Sequence, residues 1–190
     1  ELPPGKGRQW MEDGDLHSLH HCEVVLPSHI QPEIAAVPIA YRSSNKGGTH
    51  RGTARDDLMY GGLGNDRFLG LDGDDELWGD TRPGAHGRDT LIGGNGNDRL
   101  LGLGGNDRIS GDAGDDTIQG DAGRDVINGG SGDDDIRGGA DPDRIDAGPG
   151  NDTVLVIAGG KDTVDCGPGI DTIRTGRDDH YRNCEKILHR

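Results

Sequence analysis

Thirteen aspartates, most of them nine residues apart, are the side chains of this 190-residue chain best suited to chemistry. Between 52 and 174 each is followed two residues later by an apolar side chain. From 93 to 146 six units follow one another without insertion: GGNGNDRLL, GLGGNDRIS, GDAGDDTIQ, GDAGRDVIN, GGSGDDDIR and GGADPDRID. Carboxylate oxygens are the ligands that hard cations prefer, and a fixed short period indicates one small unit stacked on itself.

Two positions of the nine-residue unit do not vary in type. The sixth is always Asp: Asp57, Asp66, Asp75, Asp89, Asp98, Asp107, Asp116, Asp125, Asp134, Asp143, Asp152, Asp162 and Asp171. The eighth is always apolar: Met59, Phe68, Leu77, Leu91, Leu100, Ile109, Ile118, Ile127, Ile136, Ile145, Val154, Val164 and Ile173. The fourth is Gly except at Arg55 and Asp141. Two such columns indicate a repeat architecture.

Each unit reads as a six-residue Gly-rich turn followed by a three-residue strand. Gly permits positive φ and a tight turn, and the apolar eighth residue between outward neighbours fits the alternation of a strand. Two nonapeptide units then make one coil of about 18 residues. The sequence therefore predicts an all-β, two-sheet solenoid whose apolar columns meet between two parallel sheets.

Stacked coils would place the aspartates of alternate units one strand spacing apart, about 4.8 Å. Two charges at that distance repel by ~1 kcal/mol in water and by more at lower dielectric. A divalent cation between turns would convert this repulsion into coordination. Ca²⁺ takes six to eight oxygens in a tolerant geometry, whereas Mg²⁺ keeps its waters and Zn²⁺ prefers His or Cys. Asp is also a common turn former, but that role does not explain thirteen stacked acids without basic partners in register.

The composition is unfavourable for an ordinary globular core. Leu, Ile, Val and Phe number 36 of 190 residues and the formal net charge is −15. This combination is typical of disordered chains, so folding must gain energy from something other than burial. The negative charge argues against nucleic acid and anionic membrane surfaces, and the absence of an 18-residue apolar run argues against membrane insertion.

The unit GGxGxDxUx resembles the repeat of secreted bacterial RTX-type proteins, the hemolysin-type calcium-binding repeat family. The resemblance implies a right-handed parallel β-roll over 49–174, preceded by an irregular arm and linker (1–48) and followed by a C-terminal cap (175–190). It also implies several Ca²⁺ ions and an extracellular location, where a cleaved N-terminal leader would fit export. We expect a monomer.

By the same resemblance, the thirteen sixth-position carboxylates are the chief side-chain ligands. Carbonyls of turn glycines would complete the shell: Gly61, Gly64, Gly93, Gly96, Gly102, Gly111, Gly114, Gly120, Gly129 and Gly132. Polar residues at the second and fifth positions are candidates to assist: Asp80, Asp112, Asp121, Asn65, Asp74, Asn97, Asn106, Asp115, Asp133 and Asn151.

Such repeats rarely carry cysteine, so Cys166 in the last unit and Cys184 in the tail suggest a disulfide over the open end of the roll. Two free thiols are the alternative. A disulfide would close about 18 residues and indicate an oxidising compartment. Cys22 is left over, either free or paired between molecules.

Residues outside the repeat give weaker signals. His17, His20, His21 and Cys22 could bind zinc, but the spacing matches no common zinc motif and a polar loop is the simpler interpretation. The ninth position is apolar only in the first units: Tyr60, Leu69, Trp78, Ile92 and Leu101. We expect Tyr60, Trp78 and Leu101 to align on one sheet, covered by the segment from Val24 to Tyr41.

The sequence contains no HExxH, GxSxG or P-loop motif, and only about 50 residues precede the repeat, so we predict no enzymatic activity here. Three functional interpretations remain open. The chain is a secreted calcium-binding roll that folds on binding Ca²⁺, the C-terminal part of a larger secreted toxin or enzyme, or a carbohydrate- or surface-binding module that uses the region of Trp78.

Overall fold

The part of the chain that a computed structural model describes consists of residues 10–11, 40–42, 46–81, 86–156 and 160–189. Its regular structure is entirely β, and its strands form two parallel sheets that wind into a β-solenoid of about 7 turns. No helix there is long and apolar enough to cross a membrane. The predicted all-β solenoid, with coils ~18 residues apart, is confirmed.

From β2 onward, successive strands alternate between the two sheets, and every pairing is parallel. The ten-stranded sheet contains, in spatial order, β1 (Trp10–Met11), β2 (Ala40–Arg42), β4 (Leu58–Tyr60), β6 (Glu76–Trp78), β8 (Arg99–Gly104), β10 (Thr117–Ala122), β12 (Asp135–Ala140), β14 (Thr153–Val156), β16 (Thr172–Thr175) and β18 (Lys186–His189). The eight-stranded sheet contains β3 (Thr49–Arg51), β5 (Arg67–Asp72), β7 (Thr90–Asn95), β9 (Arg108–Ala113), β11 (Val126–Ser131), β13 (Arg144–Asp146), β15 (Thr163–Asp165) and β17 (His180–Arg182).

The register follows the repeat. Ile118 pairs with Leu100 on one side and with Ile136 on the other, each of them two units away along the chain. The five residues inserted after Asp80 lengthen one coil, so that Phe68 pairs with Leu91. Because the insertion and the later one-residue slip lie between strands, the aspartate and apolar columns stay aligned.

Many strands are longer than the three residues predicted. In β10 the pairing continues from Thr117 through Ala122, into the first three positions of the next unit, and burial alternates from Thr117 to Asp121. The first-position Gly120 faces the interior beside Ile118. Half of the expected turn is therefore strand, because glycine at the first position leaves the backbone close enough to continue the ladder.

The core contains the eighth-position side chains of both sheets, all nearly inaccessible to solvent. The first position is Gly from Gly61 to Gly138. In the later units it becomes Ala147, Val156, Cys166 and Thr175, which are also buried. The last coils therefore have a wider apolar interior than the middle ones.

The two sheets continue past residue 174, where the sequence pattern ends. Tyr181 of β17 pairs with Val164, and Ile187 of β18 pairs with Ile173. A disulfide joins Cys166 and Cys184, with 5.3 Å between their Cα atoms, as predicted. The predicted cap thus contributes two further rungs, one to each sheet.

At the other end β2 pairs with β4, so backbone from the predicted arm extends the ten-stranded sheet. Tyr60, Trp78 and Leu101 are cross-strand neighbours, as expected from the ninth position. The possible zinc ligands, Cys22 and residues 24–39 of the segment expected to cover this stripe lie outside the described residues.

Candidate metal centre

The sixth-position aspartates form two ladders, one along each sheet. After the first aspartate of each ladder, one carboxylate oxygen, Oδ1, accepts the backbone N–H of the aspartate in the preceding coil. The N–H of Asp98, for example, donates to Asp116 Oδ1 at 2.8 Å. The first ladder runs through Asp57, Asp75, Asp98, Asp116, Asp134, Asp152 and Asp171, and the second through Asp66, Asp89, Asp107, Asp125, Asp143 and Asp162. The invariance of Asp thus has a structural component.

The second carboxylate oxygen, Oδ2, has no such partner along the interior of the ladders. It is buried and accepts no hydrogen bond in Asp75, Asp89, Asp98, Asp107, Asp116, Asp125, Asp134, Asp143, Asp152 and Asp171. A buried, unsatisfied carboxylate oxygen is costly, and native structures contain few of them. A row of ten requires an explanation outside the hydrogen bonds of the protein.

The first-position glycine lies directly against this oxygen. A methyl group added to Gly93 would be 2.1 Å from Asp98 Oδ2 and 2.8 Å from the carbonyl oxygen of Gly111 in the next coil. The same cradle of carboxylate and carbonyl oxygen recurs from Gly52 to Gly129. The predicted carbonyls that it contains are those of Gly93, Gly102, Gly111, Gly120 and Gly129.

The other predicted carbonyls occupy different places. Those of Gly64, Gly96, Gly114 and Gly132 face the fourth-position glycine of the next coil; a methyl group on Gly114 would be 2.0 Å from the Gly96 oxygen. Gly114 also has φ of 130°, so two constraints require glycine there. No contact is described for the Gly61 carbonyl itself, although a methyl group added to Gly61 would lie against the Gly79 carbonyl.

Burial dominates the electrostatics of the interior aspartates. It raises the pKa of Asp107 from 3.8 to about 8 and that of Asp116 to about 7, while neighbouring aspartates add to the rise. The backbone N–H donated by the preceding rung lowers the pKa, but by less than burial raises it. No ion pair within the described residues brings a basic side chain to these interior carboxylates.

The end rungs differ, because protein donors reach the Oδ2 atoms there. Asp57 Oδ2 accepts the backbone N–H of Thr53 at 2.5 Å and its hydroxyl at 3.1 Å, and Asp66 Oδ2 accepts the N–H of Gly62. In the last coil Asp179 Oδ2 accepts the N–H of Gly176 at 2.7 Å and the Thr175 hydroxyl at 2.8 Å.

The fifth-position residues form exposed ladders in which each side-chain oxygen accepts an N–H from the following coil rather than from the preceding one. Asn97 Oδ1 accepts the N–H of Asp115, and Asp115 Oδ1 accepts the N–H of Asp133. The equivalent oxygens of Asn65, Asp74, Asn106, Asp133 and Asn151 are used in the same way. These side chains join successive coils on the surface.

The three second-position aspartates are not equivalent. Asp112 and Asp121 lie at the surface, where Asp112 Oδ1 accepts the Ser110 hydroxyl and Asp121 Oδ1 accepts the Gln119 amide N–H. Asp80 is fully buried, and its Oδ1 has no hydrogen-bond partner.

The sequence pattern missed three residues of these ladders. Asp179 and Glu185 occupy the sixth position in the last two rungs, where they accept the N–H groups of Asp162 and Asp171. The third is Thr175, which bonds Asp179 as Thr53 bonds Asp57 at the start of the repeat. A signal was present, because the sequence TxRDD occurs both at 53–57 and at 175–179.

The donor set fits a hard cation. Among the described residues no three His, Cys, Asp or Glu side chains gather as a metal cluster. Carboxylates would therefore enter singly or in pairs, with backbone carbonyls as co-ligands. Oxygen-only sets of this kind suit Ca²⁺, and the orphaned Oδ2 atoms are placed to use it.

Fold and ladders together define a parallel β-solenoid with rows of buried carboxylate oxygens that have no hydrogen-bond partner. The model of the RTX calcium-binding nonapeptide repeat family matches residues 51–81, 84–118, 101–136, 110–144 and 129–155, more than half of the chain. The chain belongs to this family, whose repeats are structural units that imply calcium binding and whose members are typically secreted. Neither the search of curated proteins nor that of solved structures gives a match.

Proposed function

We propose that this chain is a secreted calcium-binding module whose β-roll folds on binding Ca²⁺. The observation that carries the proposal is the row of buried Oδ2 atoms without partners. In eight units this oxygen also faces a first-position glycine: Asp75, Asp89, Asp98, Asp107, Asp116, Asp125, Asp134 and Asp143. These eight are the preferred ligands among the thirteen predicted.

Each of these aspartates has two roles. Its Oδ1 holds the preceding rung through a backbone N–H, while its Oδ2 remains available for a cation. Bound Ca²⁺ would supply the positive charge that compensates burial of the carboxylates. Without it, the folded state must bury either repelling charges or protons, which destabilises the roll relative to the unfolded chain.

The test is far-UV circular dichroism with Ca²⁺ added and then chelated. We expect a coil-like spectrum without metal and β-structure with it, with a midpoint of roughly 10⁻⁴–10⁻³ M, as for extracellular modules. Mg²⁺ at the same concentration is the control, because it sheds its waters reluctantly. A protein that is fully structured in excess EGTA, with no metal retained, would contradict the proposal.

A carbohydrate- or surface-binding role is the second candidate. It is favoured by the half-buried pair of Tyr60 and Trp78 on the outer face of the ten-stranded sheet, with ring centroids 5.5 Å apart. Aromatic faces of this kind combine apolar area with a polar handle. Glycan binding that is lost in Trp78→Ala, with calcium-dependent folding unchanged, would support it.

A further inference from the structure

Asp80 departs from the behaviour of its position in the repeat. Asp112 and Asp121 have φ of 76° and 73°, and their Oδ1 atoms accept hydrogen bonds from ninth-position side chains at the surface. Asp80 lacks positive φ and is 0% exposed. Asp80 is also the second-position aspartate that directly precedes the inserted residues 81–85. An aspartate at this position is therefore exposed in regular units and buried where the repeat is interrupted.

A second carboxylate meets Asp80 at Gly87. Asp80 Oδ2 accepts the Gly87 N–H at 3.4 Å. A methyl group added to Gly87 would lie 2.8 and 3.1 Å from the two carboxylate oxygens of Asp89, and 2.6 Å from the carbonyl oxygen of Gly64. Asp80 and Asp89 therefore flank one glycine, with a backbone carbonyl on the same side.

Both carboxylates are incompletely satisfied. Asp80 Oδ1 and Asp89 Oδ2 are buried and accept no hydrogen bond. The charge of Asp80 also helps to raise the pKa values of Asp89 and Asp107, after the larger effect of burial. His86 attracts Asp80, but this is the smallest influence on the pKa of Asp80. Two buried acids with unused oxygens need more positive charge than one.

We propose that Asp80 and Asp89 form a two-carboxylate Ca²⁺ site, the tightest in the chain, created by the insertion after Asp80. The inference rests on the proposed calcium binding. Ligand charge is one of the factors by which proteins set calcium affinity, and the other rungs offer one carboxylate per turn. The site is filled at lower calcium concentration than the regular sites.

The test compares Asp80→Asn with Asp112→Asn in the full chain. Both variants remove one charge at the second position, but only the first removes a buried carboxylate. Each protein is loaded with Ca²⁺ and dialysed against graded chelator, and the retained ions are counted by mass spectrometry. We expect the last ion released by the wild type to bind about tenfold more weakly in Asp80→Asn. Asp112→Asn should match the wild type.

Deleting residues 81–85 is an independent second variant. It joins Asp80 to His86 and restores the nine-residue unit GDHGRDTLI, so that this coil again consists of two regular units. Asp80 should then behave as Asp112 does, so that the tightest ion is lost while the β-signal at saturating Ca²⁺ remains. The deletion variant keeps the test decisive if Asp80→Asn fails to fold.

The outcomes separate the two proposals. A wild type that binds no Ca²⁺ overturns both. A wild type that binds Ca²⁺ at equivalent sites, or a deletion variant that keeps the tight ion, overturns only the site at Asp80 and Asp89. The site at Asp80 and Asp89 is likewise contradicted if Asp80→Asn and Asp112→Asn release calcium identically.

Discussion

The interior and the ends of this solenoid use the same aspartate in two ways. At Asp116 the Oδ2 atom is buried without a hydrogen-bond partner, whereas at Asp57 and Asp179 it accepts a threonine hydroxyl and a backbone N–H. An aspartate in a tight turn can thus be satisfied by its own turn or left open for a cation. The sequence TxRDD, which is present at Asp57 and Asp179 and absent from the interior units, supplies the threonine that makes the difference.

From this difference we expect the proposed calcium sites to be confined to the interior coils. The interior turns offer the Oδ2 atoms no hydrogen-bond donor, while the turns at Asp57 and Asp179 close on their own carboxylates. Ends that are stable without metal would limit the number of ions and leave a folded edge on either side of the sites.

At low pH, protons bound to the interior carboxylates should partly replace calcium in stabilising the fold. Burial raises the pKa of Asp107 to about 8 and those of Asp75, Asp89 and Asp116 to about 7, from 3.8. The folded state therefore binds more protons than the unfolded state between about pH 4 and the raised values, and its stability falls as the pH increases through 7. Metal-free protein should show more β-structure at pH 5 than at pH 8.

High salt is the control for this measurement, because it screens the general repulsion of a chain with net charge −15 but not buried carboxylates. A metal-free spectrum that does not change between these pH values would show that the interior carboxylates are not the cause of instability. In the presence of Ca²⁺ the dependence should reverse, because protons then compete with the cation.

Gly111→Ala should strongly destabilise the calcium-loaded protein. Its new methyl group would lie 2.0 Å from Asp116 Oδ2 and 2.4 Å from the Gly129 carbonyl oxygen. Backbone and a packed carboxylate must both move, so we expect a loss of ~3 kcal/mol in the stability of the calcium-loaded protein, by urea unfolding. The matched control is Gly176→Ala at the end, where the nearest atom would be 3.2 Å away. Equal losses of stability in the two variants would contradict the proposed difference between interior and end turns.

The effect of Asp116→Asn on the free energy of unfolding should have opposite signs with and without calcium. The amide keeps an oxygen for the N–H of Asp98 and removes a buried charge, so the metal-free protein should gain ~1–2 kcal/mol, whereas the calcium-loaded protein loses a ligand. Asp179→Asn should be destabilising in both conditions, because two protein donors already use that carboxylate. Unfolding of both variants with and without EGTA measures this; a calcium-dependent effect at Asp179 would place a cation at the end rung.

Much of this architecture could be predicted from the sequence because the repeat is strict. Asp at the sixth position and an apolar eighth residue predicted the ladders, both sheets and the core. The extension of the strands could not be predicted, since glycine at the first positions reads equally as turn. Asp80 was expected to resemble Asp112, and only the interrupted backbone turns it inward. The last rungs were missed because Glu185 replaces Asp and the coils shorten, so that Ile173 pairs with Ile187 after fewer residues than two full units contain.

Thr53→Val should have the smallest effect and isolates the hydroxyl in the end turn. Valine keeps the shape and the backbone N–H that donates to Asp57 Oδ2 at 2.5 Å, but it removes the hydroxyl donor at 3.1 Å. A hydrogen bond to a charged group is worth about 1.5–3 kcal/mol, and because the N–H donor remains we expect a smaller loss than this, ~1 kcal/mol.

This loss should be the same with and without Ca²⁺, because the hydroxyl already occupies the oxygen that an ion would need. Melting temperatures in calcium and at acidic pH without metal provide the two measurements. The control is Thr117→Val, an exposed β10 threonine outside the end turns. If Thr53→Val were harmless in calcium and damaging only without it, a cation would be replacing the hydroxyl. Asp57 would then be a cation ligand like the interior aspartates.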